Sequence, residues 1–114
     1  MKYFLVVFSL LLLPFTLKAE ELDNSKIYNF YQTSCPHCHD AMNYMNEKYP
    51  NLEMKLVNIR QSRENFELLL KCAKKFNIGN NLGTPLICMG NNYIMGWSEE
   101  QQKQFDEYVK DFIK

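Results

Sequence analysis

Residues 34–40 read Ser-Cys-Pro-His-Cys-His-Asp, and three chemistries claim them. Cys35 and Cys38 form a Cys-x-x-Cys pair, the pattern of a thiol–disulfide centre; followed by His39, the same pair is the attachment pattern of a c-type haem. A zinc site built from Cys35, Cys38, His37 or His39 and a distant cysteine is the third reading. Disulfide exchange needs a thiolate that attacks and a second thiol that resolves the mixed disulfide. If the pair opens a helix, Cys35 lies at the positive end of the helix dipole and serves as the nucleophile. Cys38, one turn on and more buried, is then the resolving thiol. His37 lies between them. When protonated it adds positive charge beside the Cys35 thiolate, favours the reduced form and makes the disulfide a stronger oxidant. Asp40, expected in the same first turn, acts in the opposite sense. Cys72 and Cys88 leave three readings open. They form a structural disulfide closing a loop of about 15 residues, worth about 3 kcal/mol; they form a second exchange site; or they stay as buried, inert thiols.

These residues need elements to position them. Residues 26–32 are rich in aromatics and suit a strand that runs straight into the motif. Ala41, Met42, Met45 and Tyr49 recur at helical spacing, so a helix is expected over residues 36–49, with Pro36 in its first turn. Residues 53–59 alternate polar and apolar as a second strand. A second helix is expected over residues 63–77, with Phe66, Leu69, Leu70 and Ala73 on one face and a stop at Gly79. Thr84-Pro85 precedes a short apolar strand at 86–89, a turn at Gly90-Asn91-Asn92 and a returning strand at 93–95. Ser98 opens the last helix, with Gln101 completing a capping box. Phe105, Tyr108, Val109, Phe112 and Ile113 form its buried stripe. The order is βαβ followed by ββα, an α/β arrangement in which the first crossover makes a parallel pair.

A chain of 114 residues allows one domain. Met1 and Lys2, the apolar run at 3–13, Pro14 and Leu17-Lys18-Ala19 fit a signal peptide over residues 1–19. Leu17 is larger than the residue usual at that point, so an uncleaved membrane anchor is the alternative. Residues 20–25 form a polar leader and 26–114 the domain. Removal of 1–19 leaves 11 basic against 13 acidic residues and all four cysteines. That balance has no polybasic footprint, so no nucleic acid partner is expected. Export, to the periplasm or an equivalent compartment, places the cysteines where disulfides persist.

With these elements in place, the mature chain resembles the thioredoxin superfamily along essentially its whole length. A Cys-x-x-Cys follows the first strand and opens the first helix, and Thr84-Pro85 begins the third strand. The order and size resemble glutaredoxins, while Cys35-Pro36-His37-Cys38 resembles the periplasmic disulfide-forming proteins of the DsbA type, without their helical insertion. The resemblance implies a thioredoxin/glutaredoxin-like fold, a four-stranded mixed sheet flanked by three helices. It implies a cis Pro85 facing the cysteines and a Thr84 backbone that pairs with an extended substrate segment. It also implies protein thiols and disulfides as substrates, a membrane redox partner that recharges the centre, and no cofactor beyond the Cys35–Cys38 disulfide. Direction stays open among oxidase, isomerase and reductase. The chain departs from the pattern twice. Asn29 stands where many members carry a buried acid, and residues 96–100 keep one glycine and the acidic character of the glutathione-binding turn of glutaredoxins. Glutathione is therefore not the expected dedicated partner.

Haem attachment would use His39 and a methionine such as Met89 or Met95 as axial ligands. A strand entering the motif and a Thr-Pro hairpin have no role in a small cytochrome. Adjacent motif residues cannot all point at one zinc ion, so no metal is expected. The remaining alternative is a non-catalytic binding module that keeps the disulfide as a staple; retention of both cysteines, with proline and histidine between them, favours catalysis.

Overall fold

A computed structural model describes residues 21–113, so the expected signal peptide lies outside the described residues. Strand β1 (Ile27–Tyr31) is a central strand whose first four residues are buried, apolar but for Asn29. It pairs in parallel with β2 (Lys55–Asn58), Phe30 opposite Val57, and antiparallel with β3 (Leu86–Met89), Asn29 opposite Ile87. β3 turns back into β4 (Asn92–Met95), giving the order β2-β1-β3-β4. Gly90 takes φ +63° in that turn, and a Cβ there would stand 3.1 Å from the Asn24 carbonyl oxygen, so the position suits glycine twice over.

The parallel pair needs a crossover, supplied by α1 (Pro36–Lys48). α1 and α3 (Glu99–Tyr108) cover one sheet face, where Ile27, Ala41, Met45, Ile87, Phe105 and Val109 pack together. α2 (Arg63–Lys75) covers the other, packing Leu68, Leu69 and Cys72 on Tyr28, Phe30, Leu86 and Cys88. This is the thioredoxin-like fold, a four-stranded mixed sheet with three helices.

Four local expectations are corrected. α2 does not bury Phe66 and Leu70, which are 44% and 43% exposed. Three consecutive leucines make two adjacent stripes available, and the buried one contains Leu68, Leu69, Cys72 and Ala73. α2 also stops before Gly79. Asn77 takes φ +54°, and the Ile78 and Asn77 N–H groups donate to the carbonyls of Ala73 and Lys74, a Schellman ending that asparagine tolerates. At α3, the Ser98 hydroxyl turns to the Gln101 side chain and caps no backbone N–H, so the capping box is not made. The α3 stripe ends early as well. The chain tightens into a 3₁₀ turn at Val109–Asp111, which rotates Ile113 outward.

The described part of the leader is docked on the body. Leu22 packs on the α2 side, the Asp23 N–H donates to Tyr28 Oη at 2.9 Å, and Glu21 pairs with Lys71 at 3.2 Å.

Candidate active site

The motif sits where β1 hands over to α1. Cys35 is the N-cap of α1, with extended backbone, and Pro36 follows at the first helical position. Its Sγ accepts a hydrogen bond from the Cys38 N–H at 3.1 Å. A cysteine sulfur therefore fills the place usually held by a serine or aspartate oxygen, at the end of the helix that favours negative charge. No acidic residue lies in the first turn. Asp40 is the fifth helical residue, so it lies beyond the first turn in which it was expected.

Cys35 and Cys38 are joined as a disulfide with their Cα atoms 5.2 Å apart. They differ in access: Cys38 is 1% exposed, while Cys35 is only partly covered. An attacking partner can thus reach Cys35 alone. His37 is exposed on the same turn. His39 is also exposed, and its Nε2 lies 2.8 Å from the Thr33 carbonyl oxygen, fixing the loop that carries Cys35. Sequence reasoning gave His39 no such part, and a hydrogen bond six residues back along a loop leaves no periodic trace.

Thr84 and Pro85 meet the motif from the other side. The Thr84 carbonyl oxygen lies 3.5 Å from Cys35 Sγ, and the Thr84–Pro85 peptide bond is cis. Pro85 is buried, and its carbonyl accepts from the Gly96 N–H at 2.8 Å. Gln32 was missed by sequence reasoning. Its Nε2 donates to Thr84 Oγ1 at 3.3 Å, and Arg60 Nη1 donates to its Oε1 at 3.4 Å. Its place between strand and motif is the signal that could have found it.

Cys72 and Cys88 lie in the other layer, under α2, joined to each other with Cα atoms 6.6 Å apart. They are 0% and 3% exposed. Among the described residues, no three His, Cys, Asp or Glu side chains group as a metal site.

A polar cluster fixes α1 against α3. Asp106 accepts from Tyr49 Oη at 2.6 Å, Tyr44 Oη at 2.7 Å and Lys48 Nζ at 3.0 Å. Burial alone would raise the Asp106 carboxyl, but these three donors together hold it below its usual value. Burial, then the bond to Asp106, pushes Tyr49 up to about 12. Trp97 packs on this cluster, 5.7 Å from the Tyr44 ring and 6.1 Å from Phe105.

No protein-family model and no curated protein matches the sequence. Solved structures do match the fold. A mutant of the thioredoxin-like protein BC3987 aligns with a TM-score of 0.54 at 18% identity, over 73% of this chain and 96% of that one. The glutaredoxin from Archaeoglobus fulgidus gives 0.53 at 16%, over 76% and 96%. Buckwheat glutaredoxin, crystallised with glutathione, gives 0.53 at 14%, over 75% and 74%. The chain is a thioredoxin-fold protein with a Cys-x-x-Cys disulfide at the start of its first helix.

Proposed function

We propose that this protein is an exported thiol–disulfide oxidoreductase, exchanging disulfides with protein substrates through Cys35-Pro36-His37-Cys38. The observation that carries the reading is the asymmetry of the pair. Cys35 is accessible and accepts the Cys38 N–H at a helix N-terminus, while Cys38 is buried one turn below it. That is the arrangement of an attacking sulfur and a resolving one. In this reading a substrate thiolate attacks Cys35 Sγ and Cys38 leaves as thiolate. A second substrate thiolate then attacks the substrate sulfur of the mixed disulfide and releases Cys35. The substrate is oxidised and the centre reduced; the same steps run backwards for reduction. Thr84, its carbonyl oxygen 3.5 Å from Cys35 Sγ, holds the substrate backbone beside the sulfur. His37 tunes the thiolate, and a membrane redox partner restores the oxidised centre.

Glutathione enters here as a small thiol reagent. One structural neighbour was crystallised with it, but in this chain the turn before α3 reads Gly96-Trp97-Ser98-Glu99-Glu100, with Trp97 packed on the core edge. The test is disulfide formation and reshuffling on a reduced or scrambled protein substrate. Cys35→Ser abolishes it at unchanged fold; full activity in that variant overturns the reading.

A further inference from the structure

The described leader, residues 21–24, forms part of the wall around Cys88. Leu22 is half-buried and packs against the cluster that contains Tyr28, Cys72 and Cys88. The Asp23 N–H donates to Tyr28 Oη at 2.9 Å, and Glu21 pairs with Lys71 at 3.2 Å. Lys75 Nζ donates to Asn24 Oδ1 and, at 2.6 Å, to the Gly90 carbonyl oxygen. Lys75 stands three residues past Cys72 on α2, and Gly90 two past Cys88, so the leader is pinned to both segments that supply the sulfurs. A gap between leader and body, lined by Leu22, Asn24, Lys75 and Cys88, measures about 10 Å³, the room of one water at most. No thiol reagent enters a space of that size. The ties themselves are weak. The Glu21 side chain is 85% exposed and the Lys75 bonds lie at the surface, where water competes for them. Residues 21–24 belong to no helix or strand. Such a segment opens locally, well before the body unfolds.

We propose that Cys72–Cys88 is a second redox site for small thiols and that residues 21–24 are its cover. With the leader docked, neither sulfur can be attacked. With the leader lifted, Cys88 is the sulfur that a thiol meets, since it lines the gap and Cys72 is 0% exposed. A small dithiol then reduces the pair in two steps. Its thiolate attacks Cys88 Sγ, the Cys72–Cys88 bond breaks, and Cys72 leaves as a thiolate that takes up a proton. The second sulfur of the reagent attacks the mixed disulfide, closes the reagent's own disulfide and releases Cys88, which is protonated in turn. Two electrons and two protons pass from the dithiol to the pair. The inference goes beyond the exchange reading above and needs no activity at Cys35. Cys35 is partly exposed and Cys88 is covered, so the two disulfides of the chain meet thiols under different conditions.

The test exposes the native protein to dithiothreitol, quenches samples by alkylation and follows the release of Cys72 and Cys88 by mass spectrometry. Leu22→Asp places a charge under the leader and lifts it, and release is expected to speed up about tenfold or more. Asp106→Asn loosens α1 against α3 without touching the leader, and leaves the rate within about twofold of the wild type. A rate that Leu22→Asp leaves within about twofold overturns the inference. So does a rate that both variants raise in proportion to the stability they lose, because the sulfurs are then reached by unfolding of the whole domain. Two cysteines found free before any reductant is added overturn it as well. If Leu22→Asp does not fold, the wild type answers through urea. Release through a lifted leader is nearly independent of low urea concentrations, since little surface is exposed. A rate that climbs with the full slope of global unfolding overturns the inference.

Discussion

At the scale of single residues, the chemistry turns on how the Cys35 sulfur is held. The Cys38 N–H reaches it at 3.1 Å and the first turn carries no acid, so the helix end alone favours the thiolate. In the proposed reading His37, exposed on the same turn, adds to this. His37→Ala is expected to raise the Cys35 pKa and make the potential of the pair more negative. Ultraviolet thiolate absorbance against pH checks the first and a glutathione titration the second. An unchanged thiolate curve would mean that the helix position sets the chemistry without His37. The motif was legible in the sequence because its spacing is local and its residue types are few. Gln32 and His39 were not, since each acts through a backbone or hydroxyl group whose position depends on the folded loop.

At the scale of elements, two ties hold the layers. The first is Asp106, which joins α3 to Tyr44, Lys48 and Tyr49 at the end of α1. Its carboxyl is held below the usual value, so the stabilisation is present above about pH 4 and is lost as pH falls through the lowered value. Asp106→Asn is expected to cost about 1 kcal/mol at neutral pH and to flatten the acid limb of the stability curve. Tyr49 works in the other direction. With its hydroxyl raised to about 12, its contribution is complete below pH 10 and is lost as pH rises towards 12. Denaturant titrations across pH read both limbs. No sequence pattern announces this tie, because its partners lie 57 to 62 residues apart.

The second tie is Cys72–Cys88, which bridges α2 and β3 across a separation of 16 residues. By the chain-entropy model it contributes about 3 kcal/mol. The double variant Cys72→Ala/Cys88→Ala is therefore expected to melt more than about 10 °C lower, followed by circular dichroism. Because both sulfurs are buried, mild reductant should free Cys35 and Cys38 and leave this pair intact, which a thiol count on the native protein reads directly. A melting point unmoved by the double substitution would leave them as inert packing. The same helix shows where sequence reasoning fell short. Apolar residues at 66, 68, 69, 70 and 73 fit two stripes, and only packing against Tyr28, Leu86 and Cys88 selects between them.

At the scale of the whole molecule, the sheet brings everything that the proposed exchange would use to one end. β1 delivers Cys35, and the β3 entry delivers Thr84 and Pro85. The turn after β4 is tied to Pro85 through Gly96. The architecture could be read from the order of patterns because each strand is short and each helix follows a plain period. The docking of the leader could not, since Leu22 and Asp23 find their partners only on the finished surface. The central claim, that Cys35 bonds covalently to a protein partner and Cys38 releases it, is tested most directly by mass spectrometry of Cys38→Ser mixed with a disulfide-containing protein. The account predicts a stable adduct joined through Cys35 that disappears on reduction and does not form when Cys35 is also serine. Absence of any such adduct, with the variant folded and Cys35 free to react with a small alkylating agent, would contradict it.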